Sequence, residues 1–346
     1  MPKAAFEDLI DFGVRLLVKK GLSEEDGRYI AEVAVTTEAC GISTHGAAIF
    51  GTYDAQVGSL IDPTARPAVV KERGATALID ANRSFSHLGL RLAIEVAVKK
   101  AREHGIAMVG VRNTSWIGGA GAFLLPLARQ GLFAQLWVQS SQCKDSAPHG
   151  GVDARFSTNA VALVFPTAGE PVISDWSTAV YSVGKVNTMV RKGQKAPQRV
   201  FFDTDGNLTD DPQAFLDGGA MMFMGQQING HKGFGLGLWC EALTAMAGGS
   251  CNNPDLEQSQ CFNLTVIDPE AFEGMDYYLR EMERFVAHVK SSRLQEGFDE
   301  IRLPGERMLR QLAESKRDGI ELQPHILKTL NQVAERNGLD PVRLLD

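Results

Sequence analysis

Short apolar runs and helix-length stretches alternate through the middle of this chain, and that alternation limits the folds open to it. ATALID (75–80), IAMVGVR (106–112), FAQLWV (133–138), AVALVFP (160–166) and PVIS (171–174) read as strands. LGLRLAIEVAVKKAREHG (88–105) reads as a helix stopped by Gly105. GFGLGLWCEALTAMAG (233–248) reads as a buried, glycine-rich helix. The organisation is α/β, but the strands do not recur in regular βαβ units. A mixed sheet is therefore expected rather than a parallel one.

Both chain ends read as helical. Leu9, Ile10, Val14 and Leu17 recur at helical spacing, and Gly21 closes that helix. Ser23-Glu-Glu-Asp26 resembles a capping box opening a second helix through Ile30, Val33 and Ala34. Near the other end, Phe272, Met275, Tyr278, Leu279, Met282, Phe285, Val286 and Val289 form an apolar stripe, expected to pack into the core. A final helix carries Ile326, Leu327, Leu330 and Val333. The ends are expected to form one helical domain, 1–70 with 287–346, beside an α/β cofactor-binding domain over 71–286.

With 346 residues, 44% hydrophobic and 22% charged, the chain can build a substantial core. A net charge of −7 with scattered basic residues argues against a nucleic-acid partner. The densest basic stretch, Arg191 to Arg199, is broken by Gly193 and Pro197 and reads as a solvated loop. No apolar run reaches membrane-spanning length, and the amphipathic start lacks signal-peptide character. The cysteines are Cys40, Cys143, Cys240, Cys251 and Cys261, an odd number without a pairing pattern. That suits a reducing, cytoplasmic setting, and no metal site is expected.

The glycine fingerprint of a Rossmann dinucleotide site, GxGxxG with an acidic residue about 20 positions later, is absent. GGAGAF (118–123) lacks the spacing, and GFGLG (233–237) does not follow a strand. Among seven histidines, His45 stands apart. It sits in Gly41-Ile-Ser-Thr-His-Gly46, where flanking glycines and two hydroxyls make a turn that can expose and orient an imidazole. A group titrating near neutrality suits proton exchange with a carbonyl oxygen. Asp175 stands at the end of an expected strand, as a ligand-facing residue or a turn aspartate. His231-Lys232-Gly233 opens the glycine-rich helix, either as an anion site or as ordinary surface.

Taken in order, these segments resemble the type-2 malate/L-lactate dehydrogenase family. GISTHG (41–46) is similar to its GxxSHG, and RNTSWIGGAG (112–121) to its RNSxHxGxxG. FSTNA (156–160), VISDWSTAVYSVGK (172–185) and FFDTDGNLTDDP (201–212) resemble its GTNP, VDMATS…GK and DxxGxPTxDP. GHKGFGL (230–236) and LPGER (303–307) resemble its KGxGL and PGE. The resemblance implies a non-Rossmann fold and a homodimer whose sites need both subunits. It implies an NAD- or NADP-dependent reaction on a small 2-hydroxy or 2-oxo acid, with His45 as the acid/base. It implies cofactor contacts at Ile173, Ser174, Asp175, Trp176 and Ser177, at His231 and Lys232, and at Gly305, Glu306 and Arg307.

Three departures from the pattern bear on the substrate. Thr44 replaces the family serine, Trp116 replaces a second histidine, and Ile49 replaces an arginine suited to gripping a carboxylate. Tyr53 still matches. Thr44, Tyr53, Trp116 and Lys144 are expected to contact substrate, with Lys144 or Arg155 as the replacement cation. A flatter, more apolar pocket leaves a cyclic-imine-2-carboxylate reductase as the alternative enzyme. A non-catalytic, metabolite-binding member is the reading from another class.

Overall fold

Local chemistry sets the first helices. The computed structural model describes every residue except Cys251, Pro254, Leu256, Glu257, Gln258 and Asp346. Strand β1 (Lys3–Ala4) leads into helix α1 (Phe6–Lys19), which ends before Gly21 at φ +103°. Ser23 Oγ accepts the Asp26 amide at 3.2 Å and opens α2 (Glu24–Ala39), the cap that the sequence implies. The Asp26 carboxylate itself turns away to pair with Arg91. Next comes α3 (Ile49–Gln56).

The middle of the chain supplies β2 (Ala68–Arg73), β3 (Thr76–Asp80), α4 (Ser86–His104), β4 (Ile106–Thr114), α5 (Ala120–Arg129), β5 (Phe133–Ser140), β6 (Ala160–Phe165) and β7 (Val172–Ser177). Then follow α6 (Val183–Arg191), β8 (Phe201–Phe202), β9 (Leu208–Thr209), α7 (Gln213–Leu216), β10 (Ala220–Met221) and α8 (Gln226–Ala245). The last elements are β11 (Gln260–Ile267), α9 (Met275–Lys290), α10 (Glu306–Asp318), β12 (Ile320–Glu321) and α11 (Pro324–Asn337).

The main sheet has the order β2-β3-β4-β11-β5-β6-β7. Among the described residues of this sheet only β3 and β4 run parallel, joined by the crossover helix α4; the other neighbouring strands pair antiparallel. The expected mixed, non-Rossmann sheet is therefore present. Strand β11 enters its centre, with Asn263 opposite Gly110 on one side and Trp137 on the other. This strand is absent from the sequence reading because Asn263 and Thr265 interrupt its apolar run. Both are buried all the same. Phe262, Leu264 and Val266 point into the main core with Val109 and Val111. The alternate face of the sheet meets the C-terminal end of α8, where a Cβ on Gly110 would come within 2.7 Å of Ala247.

The chain ends meet. β1 pairs antiparallel with β12, and the Leu345 amide donates to the Lys3 carbonyl at 2.8 Å. Phe12 and Leu16 of α1, Ile30 of α2 and Leu330 of α11 share an apolar core that continues into the sheet. The boundary expected between 286 and 287 falls inside α9.

Two packing expectations fail. Helix α9 has no fully buried residue: Met275, Tyr278, Leu279, Met282, Val286 and Val289 of its apolar stripe are only half-buried, whereas Phe285 is 57% exposed and Phe272, just before the helix, 74% exposed. Helix α8 is buried on one side only: Cys240 and Leu243 lie inside, whereas Trp239 is 55% and Met246 66% exposed. Helical periodicity reports that a face is apolar, not what covers it. Among the described residues, no helix is long and apolar enough to cross a membrane.

Candidate active site

The turn carrying His45 is built from the end of α2. Gly41, at φ +78°, takes the left-handed position after the helix, and its amide donates to the Glu38 carbonyl at 2.8 Å. Glu38 then reaches forward: its buried carboxylate accepts the Ala47 amide at 2.9 Å. A Cβ at Gly46 would lie 2.5 Å from that carboxylate, so the approach requires glycine. Burial pushes the Glu38 carboxyl up to about 7.

His45 is half-buried at the end of this turn. Its Nδ1 lies 2.7 Å from Thr44 Oγ1. Burial pushes the imidazole down to about 4, so it is neutral at neutral pH. The Gly118–Ala120 segment passes behind it, with the Gly119 amide donating to the His45 carbonyl at 3.3 Å.

A cleft of about 530 Å³ opens over this ring. Thr44 and His45 line it together with Thr158, Asp175, Trp176, Ser177, Tyr181 and Arg307. Its size lies in the range typical of small-molecule and cofactor sites. Asp175 is committed within it: its carboxylate accepts the Gly121 amide at 2.7 Å at the start of α5. Burial pushes that carboxyl above its ordinary range, while hydrogen bonds from the Gly121 and Ala120 amides pull it back. Asp175 lies inside β7 rather than at its end, and it caps a helix distant in sequence.

Trp116 walls one side of His45, with ring centroids 5.6 Å apart and planes at 44°. Beyond the indole lies a second cleft, about 570 Å³, lined by Trp116, Arg83, Asn113, Thr114 and Gln260 among others. Tyr53 touches neither cleft. It is wholly buried, and its hydroxyl meets Ser86 Oγ at 2.8 Å, His87 Nδ1 at 2.8 Å and the Trp116 carbonyl at 3.0 Å. The expected substrate contact is therefore a buried prop behind Trp116.

A family description, "Malate/L-lactate dehydrogenase", matches residues 4–331. This chain belongs to that family. It is 29% identical to a malate dehydrogenase of Pyrococcus abyssi over 96% of this chain and 94% of that protein. It is 30% identical to an L-sulfolactate dehydrogenase of Methanocaldococcus jannaschii, covering 94% and 95%. It is also 30% identical to a Delta(1)-pyrroline-2-carboxylate/Delta(1)-piperideine-2-carboxylate reductase of Pseudomonas syringae pv. tomato, covering 95% and 96%. The solved malate dehydrogenase of Pyrococcus horikoshii superposes with a TM-score of 0.88 at 28% identity, over 98% of this chain and 96% of that one. Malate/L-lactate dehydrogenase family membership makes the chain an oxidoreductase and implies a nicotinamide cofactor.

Against that family pattern, the structure brings some of the expected residues together and disperses others. Thr44, His45, Asp175, Trp176, Ser177 and Arg307 share the first cleft. Ile173 and Gly305 stand behind it: the Ile173 amide donates to the Pro304 carbonyl at 3.0 Å, and a Cβ at Gly305 would lie 2.9 Å from the Ile173 nitrogen. Glu306 pins this turn by pairing with Lys290 and accepting the Leu303 amide. Ser174 precedes the lining residues on β7. His231 and Lys232 are exposed on α8 just after its kink at Asn229 and do not line the cleft. Lys144 is exposed on the loop after β5, and Arg155 pairs with Asp153; neither lines either cleft. Thr158, Tyr181 and Glu38 carry no role in the sequence reading. Thr158 was within reach through FSTNA, whereas Glu38 has no local signature, since its partner lies beyond the turn.

Proposed function

We propose that the chain transfers hydride between NAD or NADP and a small 2-hydroxy, 2-oxo or imino acid, with His45 as the acid/base. The observation that carries this reading is the neutral His45 imidazole facing a ligand-sized cleft, with the Thr44 hydroxyl on its inner nitrogen. A bound nicotinamide supplies or accepts the hydride. Ile173, Ser174, Asp175, Trp176 and Ser177 of β7, with Gly305, Glu306 and Arg307, form the strand-and-turn wall that holds it. Arg307 offers the cation for a phosphate or carboxylate.

In oxidation, the outer nitrogen of His45 accepts the substrate hydroxyl proton while Nδ1–H donates to Thr44 Oγ1. In reduction, the imidazolium returns a proton to the developing alkoxide or amine. Burial alone opposes that charge, and the carboxylate of a bound acid favours it. A positioned proton donor contributes roughly 10²- to 10⁴-fold in rate. Trp116 beside His45 gives the site a flat, apolar wall, which favours a cyclic imine as the second reading.

The partner is a second copy of the chain. The exposed apolar residues of α9 and the Lys232, Trp239, Met246 edge of α8, spaced by seven residues, supply the surface for it. On this reading His231 and Lys232 stand at the subunit contact.

The test is turnover of NADH and NADPH with pyruvate, oxaloacetate and piperideine-2-carboxylate, wild type against His45→Gln. A loss of at least about a hundredfold on the best substrate is expected. Equal rates in the two proteins overturn the assignment of His45. Cofactor binding without turnover of any acid favours the metabolite-binding reading.

A further inference from the structure

The second cleft is distinct in chemistry from the first. It lies along the same two segments: Asn113, Thr114, Ser115 and Trp116 line it, and Ile117 to Ala120 line the first, while Ser140 and Val138 divide in the same way. The clefts therefore adjoin across the Trp116 indole. Thr114 presents a buried hydroxyl with no partner at its wall. Arg83 is the one cation among its described lining residues, and Asp255 is the one anion.

The backbone under Arg83 is unusual. Asn82 and Arg83 are consecutive non-glycine residues in the left-handed region, at φ +53° and +64°, and Asn113 beside them is at +54°. Their geometry is locked: the Arg83 amide donates to the Asn113 carbonyl at 2.8 Å, and the Asp62 amide donates to the Arg83 carbonyl at 2.9 Å. The Asn113 side chain is held in turn by both oxygens of Asp80, each at 3.0 Å. Asparagine is at home in this conformation and arginine is not. Such strain, held by surrounding bonds, is characteristic of functional positions. The guanidinium reaches the rim and touches the Ser59 carbonyl. Ile49, where the family pattern has an arginine, is wholly buried and uncharged.

We propose that Arg83 is the specificity-determining cation of this enzyme. On this assignment the second cleft takes the tail of a 2-oxo acid that extends past the Trp116 edge and ends in an anionic group. Arg83 binds that group, with the Thr114 hydroxyl as a further donor. This rests on the function proposed above, which places the reacting carbon over His45.

The test compares wild type, Arg83→Asn and Arg83→Lys. Asparagine suits the left-handed backbone, so folding is preserved, and an unchanged melting temperature verifies it. Substrates are 2-oxoadipate, with a distal carboxylate, and 2-oxohexanoate, of equal length without one. Arg83→Asn is expected to raise KM for 2-oxoadipate at least about tenfold, close to 1.4 kcal/mol, with kcat and the 2-oxohexanoate KM little changed. Lysine is expected to restore part of the loss. In parallel, adipate is expected to raise the melting temperature of wild type and not of Arg83→Asn, a readout independent of turnover. Equal KM values or equal thermal shifts in the two proteins overturn the assignment. Failure of all proteins to oxidise NADH or NADPH, with the adipate difference intact, overturns the proposed function instead.

Discussion

The Thr44 hydroxyl lies 2.7 Å from Nδ1 of His45, and it is the polar side-chain partner of that ring. A hydroxyl can donate or accept, so it serves both protonation states of the imidazole as a proton moves at the outer nitrogen. Thr44→Val keeps the shape and removes the switch. A net hydrogen bond contributes about 1 kcal/mol, so kcat/KM should fall about fivefold. Thr44→Ser should restore it. Unchanged kcat/KM in Thr44→Val would show that the pair does not orient the ring.

Tyr53 gives a prediction on stability. Its hydroxyl meets Ser86, His87 and the Trp116 carbonyl in a site closed to water. Tyr53→Phe removes the partner common to all three, although Ser86 still donates to the Trp116 carbonyl at 2.9 Å, and costs about 1–3 kcal/mol. Urea unfolding should show that loss as a lower midpoint at constant m. Because the same hydroxyl holds the Trp116 backbone, KM for the acid should rise as well. A purely stabilising tyrosine would leave KM alone.

The sequence exposes some parts of this molecule and conceals others for identifiable reasons. The Ser23 cap, the Gly105 stop and the β4 and β5 runs are local features, and each is where its chemistry places it. The turn that carries His45 is legible because it is local too. β11 is hidden because its pairing partners, not its own pattern, bury Asn263 and Thr265. The Asp175 cap on α5 and the Glu38 brace on Ala47 join residues across turns and strands, which spacing cannot show. Tyr53 matches the family pattern, yet its environment here is interior. The half-buried stripe of α9 shows periodicity, which does not tell how far the stripe is covered.

That stripe makes a prediction about assembly. Phe272 and Phe285 stand 74% and 57% exposed, an arrangement that favours burial against a second surface. The double variant Phe272→Asp with Phe285→Asp should shift the sedimentation of the protein from dimer to monomer, because burying two charges opposes association. The monomer should keep its far-ultraviolet spectrum, since neither residue contributes to the main core. A wild-type monomer, or a variant that remains dimeric, would remove this surface from the interface.

Glu38 yields a pH prediction with a definite sign. Burial pushes its carboxyl up to about 7, above the ordinary 4.5. The folded state therefore holds the proton more tightly than the unfolded chain, and stability from this group is full below about 4.5 and lost as pH rises through about 7. The shift corresponds to about 3 kcal/mol at most. Glu38→Gln keeps an oxygen for the Ala47 amide and cannot ionise. Compared with wild type by urea unfolding, it should be relatively more stable at about pH 8 than at about pH 5. His45 and His87, pushed down by burial to about 4 and about 3, act in the opposite direction below about 6.5. They are common to both proteins and cancel in the difference. A difference in stability that is flat with pH would mean that Glu38 stays ionised under the His45 turn.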